Sequence, residues 1–81
     1  MKITFNNYAT IDSGITDIYD VHFIIIDEEQ KTIECNDTNG MAIGTIFYEE
    51  CEECAYLPMD SNDRLTGERI IIVKNGKLVI K

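Results

Sequence analysis

The 81-residue chain has no tryptophan, one proline, one histidine and seven basic residues against fifteen acids. It also has no apolar run near the ~20 residues of a membrane span. Each shortage removes a class of function. One histidine and no G-x-S-x-G motif leave no nucleophile elbow and no Ser–His–Asp triad. No glycine-rich loop is present to cradle phosphate. The polar stretch DSNDRLTGE (60–68) lacks the spacing and the terminal bidentate glutamate of a calcium loop. Carboxylate pairs such as Asp17/Asp20 or Glu28/Glu29 arise by chance in so acidic a chain. The expectation is a protein that is not an enzyme.

An even cysteine set is lacking too. Three thiols cannot all pair within the chain, whereas small secreted domains carry even sets. The opening MKITFNNYATID has one lysine and no apolar block behind it, unlike a signal peptide. A single cytoplasmic domain over residues 1–81 is expected, in the host cell's cytoplasm if the gene is a phage's. At this length folding buries roughly 60–65% of the unfolded surface, so the core is modest.

What is present is negative charge. Residues 1–60 hold thirteen acids and only Lys2 and Lys31; residues 61–81 hold Asp63 and Glu68 against Arg64, Arg69, Lys74, Lys77 and Lys81. The net charge of −8 repels nucleic acid and anionic membranes, so neither is an expected partner. A basic protein surface is.

Strand signals are strong. RIIIVKNGKLVIK places Asn75-Gly76, the favoured pair of a type I′ turn, between two β-branched runs. That turn sets Lys74 opposite Lys77, Val73 opposite Leu78 and Ile71 opposite Ile80. Apolar residues on both faces argue for a central place in the sheet. YDVHFIII (19–26) and KTIECN (31–36) form a second hairpin around Asp27–Gln30. With its turn centred between Glu28 and Glu29, His22 faces Cys35 and Ile24 faces Ile33. KITF and YATI around Asn6-Asn7 suggest a third, shorter hairpin.

Residues 41–57 fit two patterns. Ile43, Ile46, Phe47, Cys51, Cys54 and Ala55 make one stripe at helical spacing, with Glu49, Glu50, Glu52 and Glu53 mostly off it. Pro58 biases Leu57 to an extended conformation and would end such a helix. The rival is another strand of a meander continuing from Asn39-Gly40. The helix, over about 44–56, gives the expected fold class: α+β, an antiparallel sheet of four to six strands built of hairpins, with one short acidic helix on one face.

YEECEEC (48–54) poses the main functional question. Tetrahedral zinc takes four Cys or His ligands, and Cys51, Cys54, Cys35 and His22 could supply them. The alternative to a pure binding protein is thus a small Cys₃His domain with structural zinc. Against it, glycine does not flank the second cysteine as in a zinc knuckle, and buried thiols are common without metal. A redox C-x-x-C needs a lowered thiol pKa, which surrounding glutamates oppose.

YDVHFIIIDEEQK (19–31) is similar to a strand-and-turn segment of the uracil-DNA glycosylase inhibitors of Bacillus phages, over about one-sixth of the chain. An aromatic followed by an acid in that family's helix is matched loosely by Phe47, Tyr48 and Glu49. Size, charge and composition also look like small phage-encoded inhibitors, anti-CRISPR proteins among them. The resemblance implies a DNA mimic. The expected partner surface is Glu49, Glu50, Glu52 and Glu53 with Tyr48 and Tyr56, which would occupy the basic, nucleic-acid-binding site of a target protein without a cofactor. A homodimer is left open.

Overall fold

The computed structural model describes residues 1–80. Its seven strands are β1 (Lys2–Asp12), β2 (Asp17–Asp27), β3 (Thr32–Asn36), β4 (Ala42–Phe47), β5 (Glu53–Pro58), β6 (Ile70–Lys74) and β7 (Lys77–Leu78). All pair antiparallel in one sheet of order β4-β3-β2-β1-β5-β6-β7. No helix of seven or more residues is present among the described residues, so the expected α+β class gives way to a nearly all-β fold.

The helix expected over 44–56 is replaced by β4, a single 3₁₀ turn at Tyr48–Glu50, and β5. The meander through Asn39-Gly40 is the version that forms: Asp37 Oδ1 accepts from the Asn39 and Met41 amides, and Gly40 takes φ +78°. Tertiary pairing decides between the two. As a strand, β4 extends the ladder of β3 and puts Ile46 in the core; a helix there would leave β3 unpaired on that side.

The C-terminal turn forms as its sequence requires. Asn75 and Gly76 both have positive φ (+52° and +76°), and Val73 pairs with Leu78, Lys74 with Lys77. β6 is interior, but the two-residue β7 is an edge, not a central strand. A bulge between Cys54↔Val73 and Ala55↔Ile71 lets the adjacent Ile72 and Val73 both lie buried, where strict alternation assigns them opposite faces.

The β2–β3 hairpin forms in a different register. Ile24 faces Cys35 and Ile26 faces Ile33, so His22 is not opposite Cys35. The turn centres one residue later than its sequence suggests. Asp27 Oδ1 accepts from the Glu29 and Gln30 amides, and Lys31 closes a four-residue loop at φ +59°.

Lys2–Asp12 is one long strand, not a hairpin about Asn6-Asn7. Its pairing with β2 jumps from Thr4↔Phe23 to Ala9↔Val21, so Phe5–Tyr8 bulge out against His22 alone. On β2 the extra residue is Asp20, at φ +59°. Bulges bend strands, and these two divide the sheet into limbs. β4, β3 and the C-terminal half of β2 form one limb; the C-terminal half of β1 with β5, β6 and β7 forms the other.

The limbs fold onto a shared core. Ile24, Ile26, Ile33, Cys35 and Ile46 come from the first, and Ile11, Cys54, Ile72 and Val73 from the second. Val21 sits near the bend, while Tyr48 and Cys51 come from the linking segment. Cα extents of 34 × 26 × 23 Å leave no thin dimension, as expected of a folded-over sheet rather than a flat one. None of the described helices is long and apolar enough to cross a membrane.

Candidate functional site

The acidic segment is the connection between the two limbs. The Tyr48 amide donates to Lys31 O (3.1 Å), which places Glu49 and Glu50 beside the acidic β2–β3 turn. The Cys51 amide closes the 3₁₀ turn on Tyr48 O at 3.1 Å. The Asn75 and Gly76 amides donate to Glu52 O (2.6 Å) and Cys51 O (2.8 Å), so the β6–β7 turn clasps the segment from the other side. These bonds fix its path without any helix. The even carboxylate spacing of a helical strip is therefore absent.

Glu49, Glu50 and Glu52 are exposed. Glu53 is held at 2.8 Å by Arg69, whose guanidinium also reaches Asp12 at 3.4 Å. Lys74 stands opposite Glu53 across β5 and β6. The bases at the C-terminal end of the sequence thus fold back beside its acidic part, and the segregation of charge along the chain is partly undone in space. Beside this segment lies a cleft of about 370 Å³ lined by Ser13, Gly14, Ile15, Glu50, Glu52, Glu53 and Arg69. Arg69→Gln removes both ion pairs but little stability, no more than ~1 kcal/mol, because the partners are solvated. Urea unfolding checks this; a loss several times larger would mark Arg69 as essential to holding β1, β5 and β6 together.

The expected aromatic flank is arranged differently. Tyr48 is 3% exposed and belongs to the core, so its ring has no surface to offer a partner. Tyr56 is half-buried against Phe5, ring centroids 4.8 Å apart, and lines a separate cleft with Asn6 and Asn7. Of the aromatics flanking this segment, Phe47 is the exposed one, at 58%. Sequence reasoning placed Phe47 in the buried stripe with Ile43. The signal that finds both is the period-two alternation Ile43, Thr45, Phe47 of a strand.

The four residues of the zinc alternative do not converge. Cys35, Cys51 and Cys54 lie in the core, whereas His22 packs beside Tyr8 (centroids 5.7 Å apart) and its Nδ1 lies 3.4 Å from Thr38 Oγ1. Among the described residues no three His, Cys, Asp or Glu side chains are grouped to hold a metal ion. Burial pushes the Cys35 and Cys54 thiols up to about 12, with Glu34 adding to the first and Cys51 to the second. Burial and Glu50 raise Cys51 as well. A redox thiol needs the opposite sign.

A second acidic neighbourhood surrounds Tyr8 at the bend. A hydrogen bond to the Asp63 carboxylate, then burial and the nearby Asp63, Asp20 and Asp60 charges, raise its hydroxyl to about 12. Arg69 makes the only ion pairs among the described residues, with Asp12 and Glu53. The other thirteen carboxylates have no such partner there.

No protein-family model, no curated protein and no solved structure matches this chain.

Proposed function

We propose that this protein is a non-catalytic binding protein that docks its acidic surface on the basic, nucleic-acid-binding site of another protein. The carrying observation is the number of carboxylates without an ion-pair partner among the described residues. Thirteen lie outside the Arg69 ion pairs in a chain of net charge −8. Glu49, Glu50 and Glu52 are exposed, and they follow the exposed Phe47 within five residues of the chain. Charge of one sign steers encounter, and an adjacent aromatic supplies the desolvated anchor that charge alone lacks. Glu53, tied to Arg69, and Tyr48, in the core, drop out of the contact set; Tyr56 is peripheral to it.

The test uses the intact protein as bait in a bacterial lysate, with elution by a salt step. Any captured protein is then assayed for nucleic-acid binding with and without the bait. The expected outcome is competition that weakens as salt rises, with no binding of duplex DNA by the bait itself. Changing Glu49, Glu50 and Glu52 together to Gln keeps shape and removes three charges. Association should slow by roughly 10-fold or more at low salt, within the range electrostatic steering spans, and thermal stability should not fall. Unchanged association at low salt would reduce the acids to a solvated face.

A further inference from the structure

We infer that the notch where β1 and β5 part receives an extended, basic peptide segment of a partner protein, added as a strand to the open edge of β1. This inference is independent of the acidic docking surface, which lies on the link between β4 and β5. β1 is an interior strand only over its C-terminal half. Its pairs with β5 run from Asp12↔Ala55 to Ala9↔Pro58, and the Met59 amide adds one bond to Tyr8 O at 2.9 Å. Beyond that point the chain turns away. Met59 bridges to Leu65, and the Thr66 amide donates back to Pro58 O at 3.1 Å. Lys2–Asn7 are thus left with no strand on that side among the described residues.

Hydrogen-bond phase shows which groups this edge leaves open. Met1 N donates to Ile26 O at 3.0 Å and the Ile26 amide donates to Met1 O at 2.7 Å, so Met1/Ile26 is a bonded pair. Lys2↔Ile25, Ile3↔Ile24 and Thr4↔Phe23 follow without a shift, and the bulge begins only after Thr4. Alternation over this regular stretch makes Ile3/Ile24 the next bonded pair. Lys2 and Thr4 therefore aim their N–H and C=O groups away from β2, and no backbone partner meets them among the described residues. Each offers an added strand one donor and one acceptor.

The same edge borders a cleft of about 360 Å³, within the range of specific ligand sites. Thr4, Phe5 and Asn6 line it from β1, and Met59, Thr66 and Glu68 from the loop between β5 and β6. The half-buried Phe5 and Tyr56 rings, 4.8 Å apart, give it an apolar part. Asn7 Nδ2 donates to Asp60 O and ties the loop to β1 at the closed end of the notch. In strand addition the main-chain bonds supply affinity, while pockets take alternate side chains. An open edge beside a cleft provides both.

Charge selects the occupant. Glu68 is the one charged side chain in the lining, which holds no lysine or arginine. Asp20, Asp60 and Asp63 lie around the Tyr8 hydroxyl at the closed end. The bases nearby are held elsewhere. Lys2 Nζ sits 4.3 Å over the Phe23 ring, Arg69 pairs with Asp12 and Glu53, and Arg64 is exposed outside the lining. A basic segment is attracted both by these carboxylates and by the chain's net −8. An acidic segment, or a second copy of this chain, is repelled by both.

Amide spectra of the intact protein, titrated with a blocked pentapeptide that alternates valine and lysine, test the proposal. Hydrogen exchange should slow at the Lys2 and Thr4 amides but not at Ile3, whose amide already bonds to β2. Replacing the peptide's lysines by glutamate should weaken binding roughly 10-fold or more. Methylating every peptide nitrogen should abolish it. In the protein, Glu68→Lys should weaken binding severalfold while leaving the β-sheet circular dichroism intact. The variant with Glu49, Glu50 and Glu52 changed to Gln should still bind the peptide at β1, which separates a failure here from a failure of the acidic docking surface. Equal binding of the lysine and glutamate peptides would overturn the proposal, as would binding that survives methylation. So would a silent Lys2 and Thr4, or protection along β4 in their place.

Discussion

Gly76→Val is expected to lower the melting temperature by roughly 15 °C, the equivalent of ~3 kcal/mol in a domain of this size. Two penalties combine. At φ +76° a β-branched residue is strained by ~1–2 kcal/mol. A Cβ at this position would also stand 2.7 Å from the backbone oxygen of Glu49, an atom that cannot swing aside as a side chain would. The clash falls where the β6–β7 turn donates to Cys51 and Glu52, so relief requires loosening the join between the limbs.

Gly40→Ala is the control. Its φ is +78°, but nothing lies within 4 Å of the added carbon. Strain alone should cost ~1 kcal/mol there. Thermal melts followed by circular dichroism separate the two; equal losses at both positions would mean the close approach at Glu49 is not real.

The second large effect appears in alkali. The Cys35 and Cys54 thiols are raised by burial from an ordinary 9.0 to about 12. Below pH 9 they are protonated whether folded or unfolded and contribute no pH dependence. Above it the unfolded chain releases their protons and the folded one does not, so stability falls as pH rises from about 9 towards about 12. Tyr8, raised from 10.0 to about 12 chiefly by Asp63, acts in the same direction over the upper part of that window.

Each thiol adds a slope approaching ~1.4 kcal/mol per pH unit. Cys54→Ala should start less stable by ~1–2 kcal/mol, because it opens a small cavity. It should then lose stability less steeply above pH 9. Urea titrations at several pH values measure both slopes. At neutral pH none of the three thiols should react with a disulfide-exchange reagent faster than the protein unfolds. Prompt reaction of the folded protein, or identical slopes for parent and variant, would contradict the buried-thiol account.

The sequence by itself determined the features that depend on neighbours along the chain. Asn75-Gly76 between β-branched runs set the last turn and its register, because two consecutive positive φ angles suit few other pairs. Two strand-like runs, 19–26 and 31–36, on either side of the polar Asp27–Gln30 determined that β2 and β3 pair. Composition alone yielded the acidic surface.

Tertiary structure decided the rest. Ile43, Ile46, Phe47, Cys51, Cys54 and Ala55 satisfy a helical stripe as numbers, yet Ile43 and Phe47 face solvent while the other four are buried. The open edge of β3 offers a ladder of hydrogen bonds that outweighs local periodicity, and the link to β5 then brings Tyr48 and Cys51 inward. Register between β2 and β3 turned on one carboxylate, Asp27, accepting two amides and closing the loop a residue later. The bulges at Phe5–Tyr8 and Asp20 carry no local signature, because they exist to fold one limb of the sheet onto the other. Pairing of β5 with β6 placed Arg69 and Lys74 beside Glu53, an encounter between charges sixteen and twenty-one positions apart that spacing along the chain does not reveal.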